Sequence, residues 1–174
     1  MSSFKPNSLH LITSAFAMLL ALGCHSTPKP QSTSTTPTTP QSHYPTRPNT
    51  TPPPFRVFHQ TENSLTLVTT PTATDEQITA ILYQLHDAAR SHTFDTLHLP
   101  QKFIDARDPF LFFHIYRGPK CAPEKYASGD LPCGNSYHAA GDYTLGDFTN
   151  PNLDKGLLRN PDTQTETPLW PSAP

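Results

Sequence analysis

Pro109-Phe110-Leu111-Phe112-Phe113-His114-Ile115-Tyr116-Arg117 runs into Gly118-Pro119. A run this short and aromatic, bounded by proline and glycine, suits a strand better than a helix. Its nearly unbroken apolar character predicts a central strand buried on both faces. Upstream, Thr74-Asp75-Glu76-Gln77 is a capping box: the hydroxyl meets the N3 amide, Gln77 reaches back, and two acids sit at the positive end of the helix dipole. Ile78, Ile81, Leu82, Leu85 and Ala89 then recur at helical spacing, which predicts an amphipathic helix to about Arg90 with Gln77, Gln84 and Asp87 wet. Before it, Arg56–His59 and Ser64–Thr69 flank the polar turn Gln60-Thr61-Glu62-Asn63 and read as a hairpin. After the aromatic run, Asn135 to Thr144 supplies another strand, with Gly141 as a bulge or a close approach. The order is ββαββ, an α+β fold in which a small antiparallel or mixed sheet carries one packed helix.

Composition sets the limits of that domain. The chain has 174 residues, 34% hydrophobic and 15% charged, with 21 prolines against 7 glycines. So many prolines cannot be spread through one packed core, because each removes a backbone donor and fixes φ. Part of the chain is therefore not globular, and room remains for one domain of about 100 residues. A net charge of −2 and a pI near 6.5 exclude a polybasic nucleic-acid binder.

The amino-terminal segment reads as an address. Met1 to His10 holds one cation, Lys5, and no acid, and Leu11 to Gly23 follows without a charge. That apolar run covers about 20 Å as a helix, short of the ~30 Å hydrocarbon core, so it is a signal-peptide core rather than a span. It ends in Leu20-Ala21-Leu22-Gly23-Cys24, which resembles the lipobox of bacterial lipoproteins, with Ala21 where that family most often has Leu. The resemblance implies cleavage before Cys24, lipidation of its sulfur, and a mature chain held on a membrane by two or more acyl chains. His25 is not the aspartate that favours inner-membrane retention, which points to the outer membrane in a diderm cell. Residues 24–54 continue as a Pro/Thr/Ser spacer, expected to stay unpacked and to reach on the order of 90 Å at most. Residues 55–160 form the domain, and 161–174 are expected as a flexible tail anchored at most by nearby Leu157, Leu158 and Trp170.

With Cys24 assigned to lipid, Cys121 and Cys133 remain as a pair. They bracket a loop containing Pro123, Gly129 and Pro132, and a disulfide there would stabilise by about 3 kcal/mol in the chain-entropy model. The Cys-x11-Cys spacing lacks the close intervals of a zinc knuckle or a redox motif, so no metal is expected from it.

Candidate chemistry centres on two of the nine histidines. On strand alternation His114 shares a face with Phe110, Phe112 and Tyr116, and His138 shares one with Ser136, Ala140 and Asp142. Should the register make those faces coincide, His114, His138 and Asp142 would form an N2O ligand set or a base with its orienting acid. His86 is expected to face solvent, and His92 to sit at the helix end. Arg117, Lys120 and Lys125 surround the cysteine loop as a receiver of anions or, by default, as a solvated loop of mixed charge with Glu124 and Asp130. Tyr126, Tyr137 and Tyr143 offer stacking surfaces for a carbohydrate, or half-buried strand edges. No nucleophile elbow, zincin helix or phosphate-cradling loop is present in the sequence, so nothing points to a cofactor.

In layout, Leu65 to Leu153 is similar to small uncharacterised lipoprotein domains of bacteria. The likeness lies in the capped helix, the aromatic strand ending at Gly118, and Phe148-Thr149-Asn150-Pro151-Asn152-Leu153. The chain departs by inserting the cysteine loop and by lacking a tryptophan before that closing segment, and the resemblance implies no activity. The expected role is a lipid-anchored envelope protein presenting a binding or accessory domain to an envelope protein or the cell wall. The alternative is a small metal- or His-dependent periplasmic hydrolase using His114, His138 and Asp142.

Overall fold

Thr74 starts the main helix of the computed structural model as its residues require: its side chain accepts from the Gln77 amide, and Gln77 returns the bond to the Thr74 amide. Helix α1 spans Asp75–Ser91 and closes at His92, whose left-handed backbone (φ 53°) lets its amide bond the Ala88 carbonyl. The structure describes residues 44–128, 133–134, 136–146 and 153–171. All of these lie within one compact unit, Gln41–Pro174. The leader and Cys24 lie outside the described residues.

Among the described residues six strands form one sheet in sequence order: β1 Arg56–Gln60, β2 Ser64–Thr69, β3 Phe110–Arg117, β4 Gly141–Gly146, β5 Lys155–Asn160 and β6 Thr165–Pro168. The sheet is mixed, since β2 and β3 run parallel and every other neighbouring pair is antiparallel. A parallel pair needs a crossover, and α1 supplies it. The rest of the crossover is not idle polar chain: Phe94 on a 3-10 turn at Phe94–Leu97, Leu99, and Ile104 on the short helix α2 (Gln101–Asp105) all enter the core. The α+β fold with a mixed sheet and one principal helix is as the sequence predicts.

Strand β3 is central but not buried on both faces. Leu111, Phe113 and Ile115 are fully buried under α1, while Phe110, Phe112, His114 and Tyr116 alternate with them on the far face and are only partly buried. The run looks continuous because aromatic rings occupy both faces. On the helix side, Leu65, Leu67, Phe113 and Tyr143 meet Ile78, Ile81, Leu82 and Leu85. Burial of each such side chain contributes about 1.5–3 kcal/mol. Gly141 is the expected close approach: a Cβ there would stand 2.8 Å from Leu82 and 3.0 Å from Ile78.

Two segments depart from the sequence reading. Tyr44–Pro54, read as spacer, is not wholly free of the domain. Arg47 pairs with Asp87 and its guanidinium lies 5.0 Å over the Tyr83 ring, while Thr69 Oγ1 donates to the Pro54 carbonyl at 2.9 Å. The Arg47–Asp87 pair is half exposed and so worth little by itself. Residues 161–174, read as a tail, contain β6, reached from β5 by a turn in which Asn160 Oδ1 accepts from the Asp162 and Thr163 amides at 2.9 and 3.1 Å. Strand β6 is exposed along its length and carries no apolar residue, so no hydrophobic pattern announces it.

Trp170 explains why the chain end holds. Its ring lies 4.4 Å from His86 and 5.2 Å from Tyr83 between centroids. A Cβ on Gly156 would meet the indole at 2.1 Å. Gly156→Ala therefore displaces the single tryptophan, and overpacking of this kind costs about 1–3 kcal/mol. Urea unfolding should show that loss together with a red shift of Trp170 emission; unchanged emission and midpoint would contradict this packing.

Candidate functional site

The register of β3 against β4 builds the site. His114 stands directly opposite Asp142, both on the face turned away from α1, and Leu157 on β5 comes next to Asp142 in the same row. His114 Nδ1 lies 2.8 Å from Asp142 Oδ1. Tyr137, from the loop before β4, completes a triangle: its hydroxyl is 2.7 Å from His114 Nδ1 and donates to Asp142 Oδ1 at 2.7 Å. From β5, Arg159 Nε donates to Asp142 Oδ2, while its Nη1 donates to Glu166 Oε1 of β6 at 2.5 Å. Arg159 also lies over the Tyr137 ring, 4.9 Å from its centre.

Electrostatics follow from this packing. Asp142 is 8% exposed, and burial pushes its pKa up. The hydrogen bond from His114 and its charge when protonated, the Tyr137 bond and the Arg159 charge together overcome that, leaving the carboxyl below its ordinary value. Burial raises Tyr137 strongly, and the adjacent Asp142 charge adds to this, so the phenol keeps its proton. Tyr116, packed edge-on against Tyr137, is pushed up to about 12, first by burial and then by Asp142. Arg159 is raised: burial works against its charge, and Asp142 and Glu166 outweigh it.

The cluster floors a cleft of about 400 Å³ lined by Phe112, His114, Tyr137, Asp142, Thr144, Leu157 and Arg159. Asp142 accepts only, so the neutral imidazole is assigned the tautomer with hydrogen on Nδ1. That leaves the Nε2 lone pair as an acceptor or a base. Phe112 stacks near the imidazole, with ring centres 6.0 Å apart. The arrangement can take a donor group at Nε2 and an apolar body against Phe112 and Leu157. Among the described residues, no serine or cysteine lines the cleft.

The sequence-predicted set is brought together only in part. His114 and Asp142 converge, but His138 lies before β4, where alternation does not apply, and its Nε2 bonds the Cys133 carbonyl at 2.5 Å. Cys121 and Cys133 form the expected disulfide. In the described part of the loop it closes, Ala122 is buried and Glu124 stands 3.4 Å from His59 on β1. Arg117 is turned away from that loop, donating from Nε to the Ala73 carbonyl at 2.7 Å and pairing with Asp75 at the start of α1. Tyr143 is core rather than a stacking surface, at 0% exposed. His86 does not face solvent: it is sandwiched on Trp170, with Nε2 3.2 Å from Asp154. Arg159 and Glu166 escape sequence reasoning because β5 and β6 do. The turn signal Asn160-Pro161-Asp162 is the one clue to that pair of strands.

The lowered pKa of Asp142 carries a sign. Its folded value lies below the unfolded one, so the network stabilises the fold above about pH 4, and this is lost as pH falls through the folded value. The gap in stability between wild type and Asp142→Asn should be widest near neutrality, roughly 3–5 kcal/mol for a broken buried pair, and should close in acid. A gap that denaturant titrations find constant from neutral to strongly acidic pH contradicts the assignment.

Against protein-family models, curated proteins and solved structures, the chain shows no match, so its reading rests on its own residues.

Proposed function

We propose that this chain is a lipid-anchored cell-envelope protein whose domain is a binding or accessory module, with the cleft on the open sheet face as its ligand seat. The observation behind the reading is the mutual satisfaction of Asp142, Tyr137 and Arg159, which leaves His114 Nε2 as the uncommitted strong acceptor beside Phe112 and Leu157. Groups locked to one another in this way hold a shape rather than shuttle protons. Anchorage rests on Leu20-Ala21-Leu22-Gly23-Cys24 and the spacer behind it. Tethering keeps the domain at a raised effective concentration for an envelope protein or a cell-wall partner.

A hydrolase is the second reading, and the His114–Asp142 pair favours it: an imidazole oriented through Nδ1 can take a proton at Nε2 from an attacking water. His138 has no part in that version.

Three measurements test the anchor and separate these readings. Cells fed a labelled fatty acid should mark the wild type and not Cys24→Ala; equal labelling would remove the anchor. A photo-crosslinking residue at Thr144, in the cleft, should trap a discrete partner in membranes, whereas the same residue at Glu76 on α1 should not. Identical products from both positions would sink the binding site. Turnover of model esters that vanishes in His114→Gln would instead favour the hydrolase.

A further inference from the structure

Outside the cleft, the closest gathering of metal-ligating atoms among the described residues is at the base of the cysteine loop. One atom each from Cys121, Cys133 and His138 lies within 4.8 Å of the others. We propose that this disulfide is one state of a two-state site, and that a thiol reductant converts it into a seat for a zinc-like divalent ion held by Cys121, Cys133 and His138.

The geometry is close to what such an ion needs. Tetrahedral zinc takes sulfur at about 2.3 Å and nitrogen at about 2.0 Å, which puts its ligand atoms roughly 3.3–3.8 Å apart. Sulfur and nitrogen on such an ion stand about 3.5 Å apart, so the imidazole must move in by about 1.3 Å at most. Once the bond is cleaved, the two sulfurs must part to about 3.8 Å. Their Cα atoms are already 5.8 Å apart, so side-chain rotation accounts for most of that opening. His138 is held beside the sulfurs by the bond between its Nε2 and the Cys133 carbonyl at 2.5 Å, which orients the ring. Cys133 is nearly buried at 9% exposed, whereas Cys121 and His138 are partly exposed, so reductant and ion have a way in.

The chemistry balances. Two equivalents of a thiol reductant transfer two electrons and two protons to the Cys121–Cys133 bond and leave as their own disulfide. The ion then displaces one proton from each thiol and takes the neutral imidazole as third ligand, with water in the fourth position. Oxidised, the same atoms form the staple and offer no thiolate. The set was hidden in the sequence because the third ligand sits five residues past Cys133, outside any close Cys-x-x-Cys interval.

The test uses the mature chain reduced with dithiothreitol, desalted without oxygen and titrated with cobalt(II) and then zinc. Reduced protein should take up one equivalent of cobalt with a thiolate-to-metal absorption band, lost when zinc displaces it. Oxidised protein should show no such band, and His138→Ala should bind at least ten-fold more weakly once reduced. If reduction alone unfolds the chain, added zinc must restore the native circular dichroism and Trp170 emission. No band, equal binding by His138→Ala, or a zinc addition that restores nothing would each overturn the proposal.

Discussion

Register between β3 and β4 is the constraint on which the rest depends. A slip of one residue would send Asp142 into the helix-packed core and Tyr143 onto the open face. Two packed features resist that slip. Tyr143 stacks on Phe113, with ring centres 5.6 Å apart, and Gly141 admits Leu82 and Ile78 to the sheet surface. The core thus fixes the position of a buried carboxylate that it never touches, and the open face is organised from beneath.

Once Asp142 is placed, its need for partners orders its surroundings. A carboxylate this deeply buried is tolerated only when paired and hydrogen-bonded. Its three partners come from three elements: His114 from β3, Tyr137 from the loop before β4, and Arg159 from β5. The ion network therefore ties the segment after the disulfide loop and the two C-terminal strands to the centre of the sheet, alongside the apolar packing of Leu157, Leu158 and Trp170. Glu166 extends it to β6, a strand without apolar anchorage.

What was legible in the sequence follows from this division. Helix α1 and strand β3 announce themselves because they bury regular stripes, and the cysteine pair because two thiols remained after the leader was read. The hairpin β1–β2 was likewise visible in short apolar runs about a polar turn. Strands β5 and β6 were not, since Lys155–Asn160 buries little beyond Gly156 and Leu157 and Thr165–Pro168 is wholly exposed. The site was half legible for the same reason. His114 and Asp142 lie on real strands whose alternation places them on one face. Extending that alternation back to His138 failed because β4 begins only at Gly141. Tyr137 and Arg159 depend on a loop path and an edge strand, which no local periodicity encodes.

Asp142 pins His114 through Nδ1 and leaves Nε2 for the cleft. Long-range nitrogen–proton correlation NMR on the histidine-labelled domain reads this directly. With the imidazole neutral, His114 should show a single tautomer with the proton on Nδ1 and Nε2 bare. A proton on Nε2, or averaging between the two tautomers, would contradict it.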